Sequence, residues 1–169
     1  LPPQSYLITI VATFDLRKGH QLLFESLAIL RPRLHQIRVL VFGTGNEADT
    51  ARLMQLIHQH QLEDTVILCG FRQNVTAYLG AVDLLVLPSL LDEGMPMAVI
   101  EAMAVRAPII ASDVGGVREL IEERVTGRLL PPGDLAALTR AIEQLIEHPQ
   151  TGREWAKRAY ERYDAVHTG

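Results

Sequence analysis

Residues 88–104 read PSLLDEGMPMAVIEAMA, and the question of what Glu101 faces decides how the rest of the chain is read. Between Met95 and Val105 it is the only charged residue, in a run that otherwise has the pattern of a buried helix. A carboxylate there costs free energy unless something pairs with it. Pro96 suits the first helical position, where its missing N–H removes nothing. Gly94 and Met95 offer no side-chain oxygen as a cap, so the N–H groups of Met97 and Ala98 are expected to lack a partner. A bound phosphate would supply one. Glu101 lies five residues into the helix, roughly 7.5 Å along its axis. Helical side chains lean toward the N-terminus, so its carboxylate reaches back to that entrance and accepts from vicinal hydroxyls. Glu93, on the preceding turn, is placed to accept from sugar hydroxyls. The plainer alternative stays open: Glu101 reaching solvent from a helix edge, and Glu93 an ordinary turn residue.

Outward from this stretch, short apolar runs alternate with helical patterns. Strands are expected at 6–13, 37–43, 65–70, 83–88 and 108–112, with a shorter sixth at 127–131. Most are apolar on both faces, the signature of parallel strands covered by helices on two sides. Helices are expected at 19–34, 47–61, 73–81, 96–105 and 115–122. A further helix is capped by Asp134 and ended by Pro149, and an amphipathic segment at 151–164 carries Trp155, Ala159 and Tyr163 at helical spacing. Repeated β-α units give an α/β fold, a Rossmann-like doubly wound parallel sheet of about six strands with helices on both faces. Ligands in such sheets bind beyond the carboxyl ends of the strands, here the loops 13–19, 43–47, 70–74, 88–95 and 112–116.

The 169 residues, 48% hydrophobic and 21% charged, suit one domain over 1–169. The start, LPPQS at 1–5, reads as an interdomain linker or a processed terminus, and 150–169 as a C-terminal helix and tail. A net charge of −4 with no basic stripe argues against a nucleic-acid partner. A single cysteine, Cys69, leaves no internal disulfide framework and fits a reducing, cytoplasmic compartment, with a peripheral place at a membrane still open. No apolar run approaches the ~18 residues of a membrane span, and no signal peptide is read.

Two loops invite a phosphate. GTGNEA at 43–48 matches a dinucleotide fingerprint, G-x-G-x-x-A. That fingerprint also needs an acid ending the next strand, which here ends CGFR. A tight strand-to-helix turn is the reading preferred over a nicotinamide or flavin site. FDLRKG at 14–19 places Arg17 and Lys18 before a helix entrance, a reasonable anion site, although paired basic residues in a loop are also ordinary surface.

At these residues the sequence resembles the C-terminal, donor-binding half of GT-B glycosyltransferases of group 1, also called family 4. DEGMPMAVIEAMA (92–104) resembles that family's E-x7-E segment. LRKGHQLLFESLAIL, VLVFGTGNEA, VILCGFRQNV, RAPIIASDVGGVREL and VTGRLLPPGDLAAL resemble its other blocks, in order, from about Tyr6 to His148. The resemblance implies a sugar transferred from a nucleotide-diphosphate donor to a hydroxyl of an acceptor glycan, lipid or small molecule, with retention and no required metal or other cofactor. It implies that Glu93 holds the donor sugar and that Lys18 neutralises the diphosphate leaving group. Backbone around Gly94, Met95, Met97 and Ala98 would cradle diphosphate and sugar, Glu101 would clamp the ribose, and backbone at Phe71 and Arg72 would meet the nucleobase.

One departure stands out. The family ends its first strand with a Gly-Arg pair, and this chain has Ala12 and Thr13. A hydroxyl does not replace a guanidinium fork, so Arg17 either compensates or the leaving group is held less firmly. The acceptor would bind an N-terminal domain absent from these residues, leaving this half inactive by itself. The alternative reading is a non-catalytic nucleotide-sugar-binding or partner-docking domain.

The remaining candidates read as structure. Asp113 is expected to cap a helix starting near Gly115, and Gly115 and Gly116 to give turn freedom, with a wall of the sugar pocket as their alternative role. Cys69 reads as a core thiol. The six histidines show no metal-ligand spacing, with His20 lying beside Lys18 and His35, His148 and His167 exposed.

Overall fold

A computed structural model describes residue 1 and residues 4–169; the expected linker's Pro2 and Pro3 lie outside the described residues. Six strands form in the expected places: β1 (Tyr6–Val11), β2 (Ile37–Phe42), β3 (Val66–Gly70), β4 (Leu84–Leu87), β5 (Ile109–Ser112) and β6 (Arg128–Leu130). All adjacent pairs are parallel, in the order β3-β2-β1-β4-β5-β6. The order reverses between β1 and β4. Crevices in doubly wound sheets open at such a switch point, because the chains leaving the two strands cross to opposite faces.

The helices are α1 (His20–Ile29), α2 (Glu47–Gln59), α3 (Val75–Leu79), α4 (Met97–Ala104), α5 (Val117–Leu120), α6 (Leu135–Glu147) and α7 (Pro149–His167). On one face Leu23, Phe24 and Leu27 of α1, Leu53 of α2 and Ile142 and Leu145 of α6 bury against Ile8, Ile10 and Val39. On the other, Leu79, Val99, Met103, Val117 and Ala159 bury against Leu85, Leu87 and Ile109. Strands with apolar residues on both sides are what permit two such layers.

Several boundaries moved. The helix expected over 19–34 stops at Ile29, and Arg31–Gln36 tightens into a 3₁₀ turn with Pro32 in its first turn. Pro32 has no N–H to continue the α ladder. Pro149 both ends the α6 segment and opens α7. Trp155, on the amphipathic C-terminal segment, is buried in the first core. Cys69 is not a core thiol: β3 is an edge strand, Ile67 and Leu68 beside it are exposed, and Cys69 is half-buried. Burial still pushes its thiol above the ordinary range.

Candidate functional site

Three loops meet above the switch point. Asp15 accepts from the backbone N–H of Arg17, closing the turn after β1. Gly19 follows at φ 81°, and a Cβ there would stand 1.9 Å from the carbonyl oxygen of Pro88. Only glycine lets the β1 loop approach the β4 loop this closely. Leu90 N–H donates to Arg17 C=O at 2.8 Å, tying the same two loops together. This contact delivers Lys18 to the Glu93 turn across 75 residues of sequence: Lys18 Nζ donates to Glu93 Oε1 at 2.9 Å. The pair is sheltered, with side-chain exposures of 27% and 13%. Ser89 Oγ donates to the same Oε1 at 2.5 Å.

The Glu93 turn rests on the loop after β5. Gly116 N–H donates to Glu93 C=O at 2.9 Å. A Cβ on Gly115 would stand 1.6 Å from Asp92 Oδ1, and one on Gly116 2.3 Å from Gly94 O. Both glycines are therefore required by the seating of the turn, beyond the turn freedom expected of them.

Lys18, Glu93, Glu101 and Thr13 line one cleft of about 290 Å³, with Met95, Met97 and Ala98 on its wall. A neighbouring hollow of about 310 Å³ shares Thr13 and Glu101 and adds Phe71 and Arg72. Glu101 thus lines both, as do Val11, Ala12 and Thr13 at the carboxyl end of β1. Cation, two carboxylates and a helix entrance in one open cleft suit a ligand carrying both anionic and hydroxyl groups.

The entrance itself differs from expectation. Pro96 is the N-cap and α4 begins at Met97, with no side-chain cap. The N–H of Met97 is not open: it donates to Met95 C=O at 2.9 Å, and Val99 N–H donates to Pro96 C=O at 3.0 Å. Ala98 N–H has no partner among the described residues, so the entrance offers one donor where two were expected.

The remaining candidates are dispersed. The Arg17 guanidinium binds Asp15 through Nε at 3.0 Å and Nη2 at 2.7 Å and does not line the cleft. That fork holds the Asp15 carboxyl well below the usual carboxylate range. Gly94 faces the adjoining hollow over Asp92, Asp113 and Gly116. Asp113 caps nothing: Gly116 is the N-cap of α5, and Asp113 lies 3.1 Å from Arg118 Nε. His20 is 3% exposed, edge-on to Phe14, and away from the cleft. Burial and then the Arg52 charge push its imidazole down to about 4. Among the described residues no cluster of His, Cys, Asp and Glu could hold a metal ion.

The family described as "Glycosyl transferases group 1" matches residues 1–162. The chain belongs to the group 1 glycosyltransferases. It is 36% identical over 151 residues to the amylovoran biosynthesis glycosyltransferase AmsK of Erwinia amylovora, a match covering 85% of this chain and 37% of that protein. This group 1 chain therefore spans well under half the length of that relative. Anabaena HepE in complex with UDP-glucose superposes with a TM-score of 0.89 at 27% identity, over 95% of this chain and 44% of that one. The C-terminal domain of the group 1 protein LpcC from Francisella tularensis shares the fold, with a TM-score of 0.85 at 23% identity over 96% of this chain and 86% of that one. The fold of this group 1 chain is thus that of the C-terminal half of a GT-B glycosyltransferase.

Sequence reasoning missed Ser89 and the contacts of Gly115 and Gly116. Ser89 stands four residues before Glu93, and only the return of the turn makes that spacing a hydrogen bond.

Proposed function

We propose that this chain is the donor-binding domain of a retaining, family 4 glycosyltransferase that moves a sugar from a nucleotide-diphosphate donor to an acceptor hydroxyl. The observation that carries the reading is the convergence of Lys18, Glu93 and Glu101 on one cleft at the switch point. Lys18 meets the diphosphate and steadies the charge that develops as the glycosidic bond breaks. Glu93 accepts from the sugar and Glu101 from the ribose. Ala98 N–H faces the phosphate, Met95 and Met97 wall the same cleft with Gly94 on the turn beside it, and the nucleobase lies toward Phe71 and Arg72. The wider proposal places the acceptor glycan, lipid or small molecule on an N-terminal domain of the same protein, in the cytoplasm or at a membrane surface. Residues 1–5 act as linker, 150–169 as a C-terminal helix and tail whose 151–164 segment returns toward that domain, and no metal is required. HepE, whose complexes hold UDP and UDP-glucose, supports a nucleotide-sugar donor.

One observation favours a second reading. Thr13 stands where the resemblance implies an arginine, and Arg17, the nearest substitute, is occupied by Asp15. A donor-binding module without transfer activity fits that loss.

A thermal-shift titration of the chain with UDP-, GDP-, ADP- and dTDP-glucose tests binding, because a ligand of the native state raises the melting temperature by mass action. At least one is expected to raise it; no shift with any donor overturns the reading. Lys18→Ala in the full-length protein then separates the two readings. An enzyme is expected to lose roughly 10²-fold or more in kcat, the scale for one stabilising group at a developing charge, whereas a binding module shows no turnover before or after.

A further inference from the structure

Glu93 is held at both ends by the protein, and the two holds differ in kind. Its carbonyl accepts from Gly116 N–H, on a glycine pair that admits no Cβ. Its carboxylate receives two donors on a single oxygen, Ser89 Oγ and Lys18 Nζ. Oε2 makes no hydrogen bond among the described residues, and Glu93 lines the cleft together with Lys18 and Glu101. Ser89 is 1% exposed, and Glu93 is the only acceptor its hydroxyl meets among the described residues. A buried hydroxyl does not give up its single partner cheaply. Lys18 is different: its ammonium sits on a long flexible stem, partly open to solvent.

The geometry points to Ser89 as the positioning residue that keeps Glu93 on the donor sugar while Lys18 turns to the diphosphate. This inference rests on the donor-binding reading above. A carboxylate held by Lys18 alone would follow that ammonium toward the phosphates, where like charges repel it. With Ser89 holding Oε1, Lys18 exchanges one anion for another and Oε2 stays free to accept from a sugar hydroxyl. Ser89 itself touches no ligand. Its removal should therefore cost the affinity contributed by the sugar and leave that of the nucleoside diphosphate intact.

The experiment is calorimetric titration of the chain with UDP-glucose and UDP, or with whichever of the GDP, ADP and dTDP pairs it binds best. Ser89→Ala is expected to lose about tenfold in affinity for the sugar nucleotide, the scale of one charge-assisted hydrogen bond, with affinity for the parent diphosphate unchanged. Ser89→Thr, which keeps the hydroxyl, is expected to retain the wild-type ratio. If Ser89→Ala does not fold, Ser89→Cys, a weaker donor in the same place, is read by the same ratio. An unchanged ratio, or an equal loss for both ligands, overturns the positioning role while the donor-binding reading stands. Failure of the wild-type chain to bind any pair overturns the donor-binding reading, and this inference with it.

Discussion

The turns that enter α2 and α4 both follow a parallel strand and both open a helix beside the switch point, yet one is closed by its own residues and the other is not. At α2, Asn46 caps the helix by accepting from Asp49 N–H at 2.7 Å, and Glu47 and Asp49 fill the first turn. Gly45 is pressed so close to Phe14 that a Cβ would stand 2.7 Å from its Cβ. Arg52 is spent on Asp49 and on Phe14 C=O. At α4 there is no side-chain cap, no acid in the first turn, a free Ala98 N–H, and Lys18 beside it. A helix entrance attracts anions through its free N–H groups and dipole. The α2 turn spends both on its own side chains, so the glycine-rich loop that most resembles a phosphate motif is the less able to bind one.

The comparison breaks most sharply at Ala98. Ala98→Asp gives the α4 entrance the acid that α2 already carries, and nucleoside-diphosphate affinity is expected to fall by about 2 kcal/mol, roughly thirtyfold. The melting temperature should hold or rise slightly, since an acid suits a first turn. Calorimetry beside a thermal melt reads both; retained affinity would place the phosphates away from this entrance.

The closed turn has a weakness of its own. His20 lies beneath it, against Phe14 and near Arg52, with no hydrogen-bond partner for either ring nitrogen among the described residues. Its folded pKa of about 4 lies below the ordinary 6.5. The unfolded chain therefore binds the extra proton between those values, and stability is lost as pH falls through that window. Urea unfolding is expected to show about 2 kcal/mol less stability from this group at pH 5 than at pH 7.5. His20→Phe should flatten the difference; an unchanged slope would assign the acid sensitivity to other groups.

The smallest effect sharpens the contrast from the other side. Asn46→Ala removes the α2 cap and should cost about 1 kcal/mol of stability. Donor affinity should stay as it was, measured by the same titration. A fall in affinity would restore a ligand role to the 43–48 loop.

Legibility followed distance along the chain. The apolar runs at 37–43 and 83–88 and the uncapped PMA entrance depend on neighbours a few residues away, so their patterns are visible in the sequence. Glu101 lines the cleft beside that entrance, the side toward which a helical side chain leans, so its position follows from local geometry. Arg17 was left open for a related reason. Lys18 and Arg17 look equivalent as neighbours, but Asp15 closes on one of them and a loop 75 residues away meets the other. The second open N–H, at Met97, was lost to a local bond with Met95 that composition does not signal.

By itself the sequence determined the class of fold, six parallel strands covered on both faces, together with the two glutamates and the entrance between them. Period, turn residues and caps are short-range properties, and they survive being read one window at a time. The tertiary structure alone decided that β1 lies against β4, which brings Lys18 to Glu93 and leaves Ser89 beneath it. That choice depends on how the crossovers share two helical layers, and no single stretch of chain contains it.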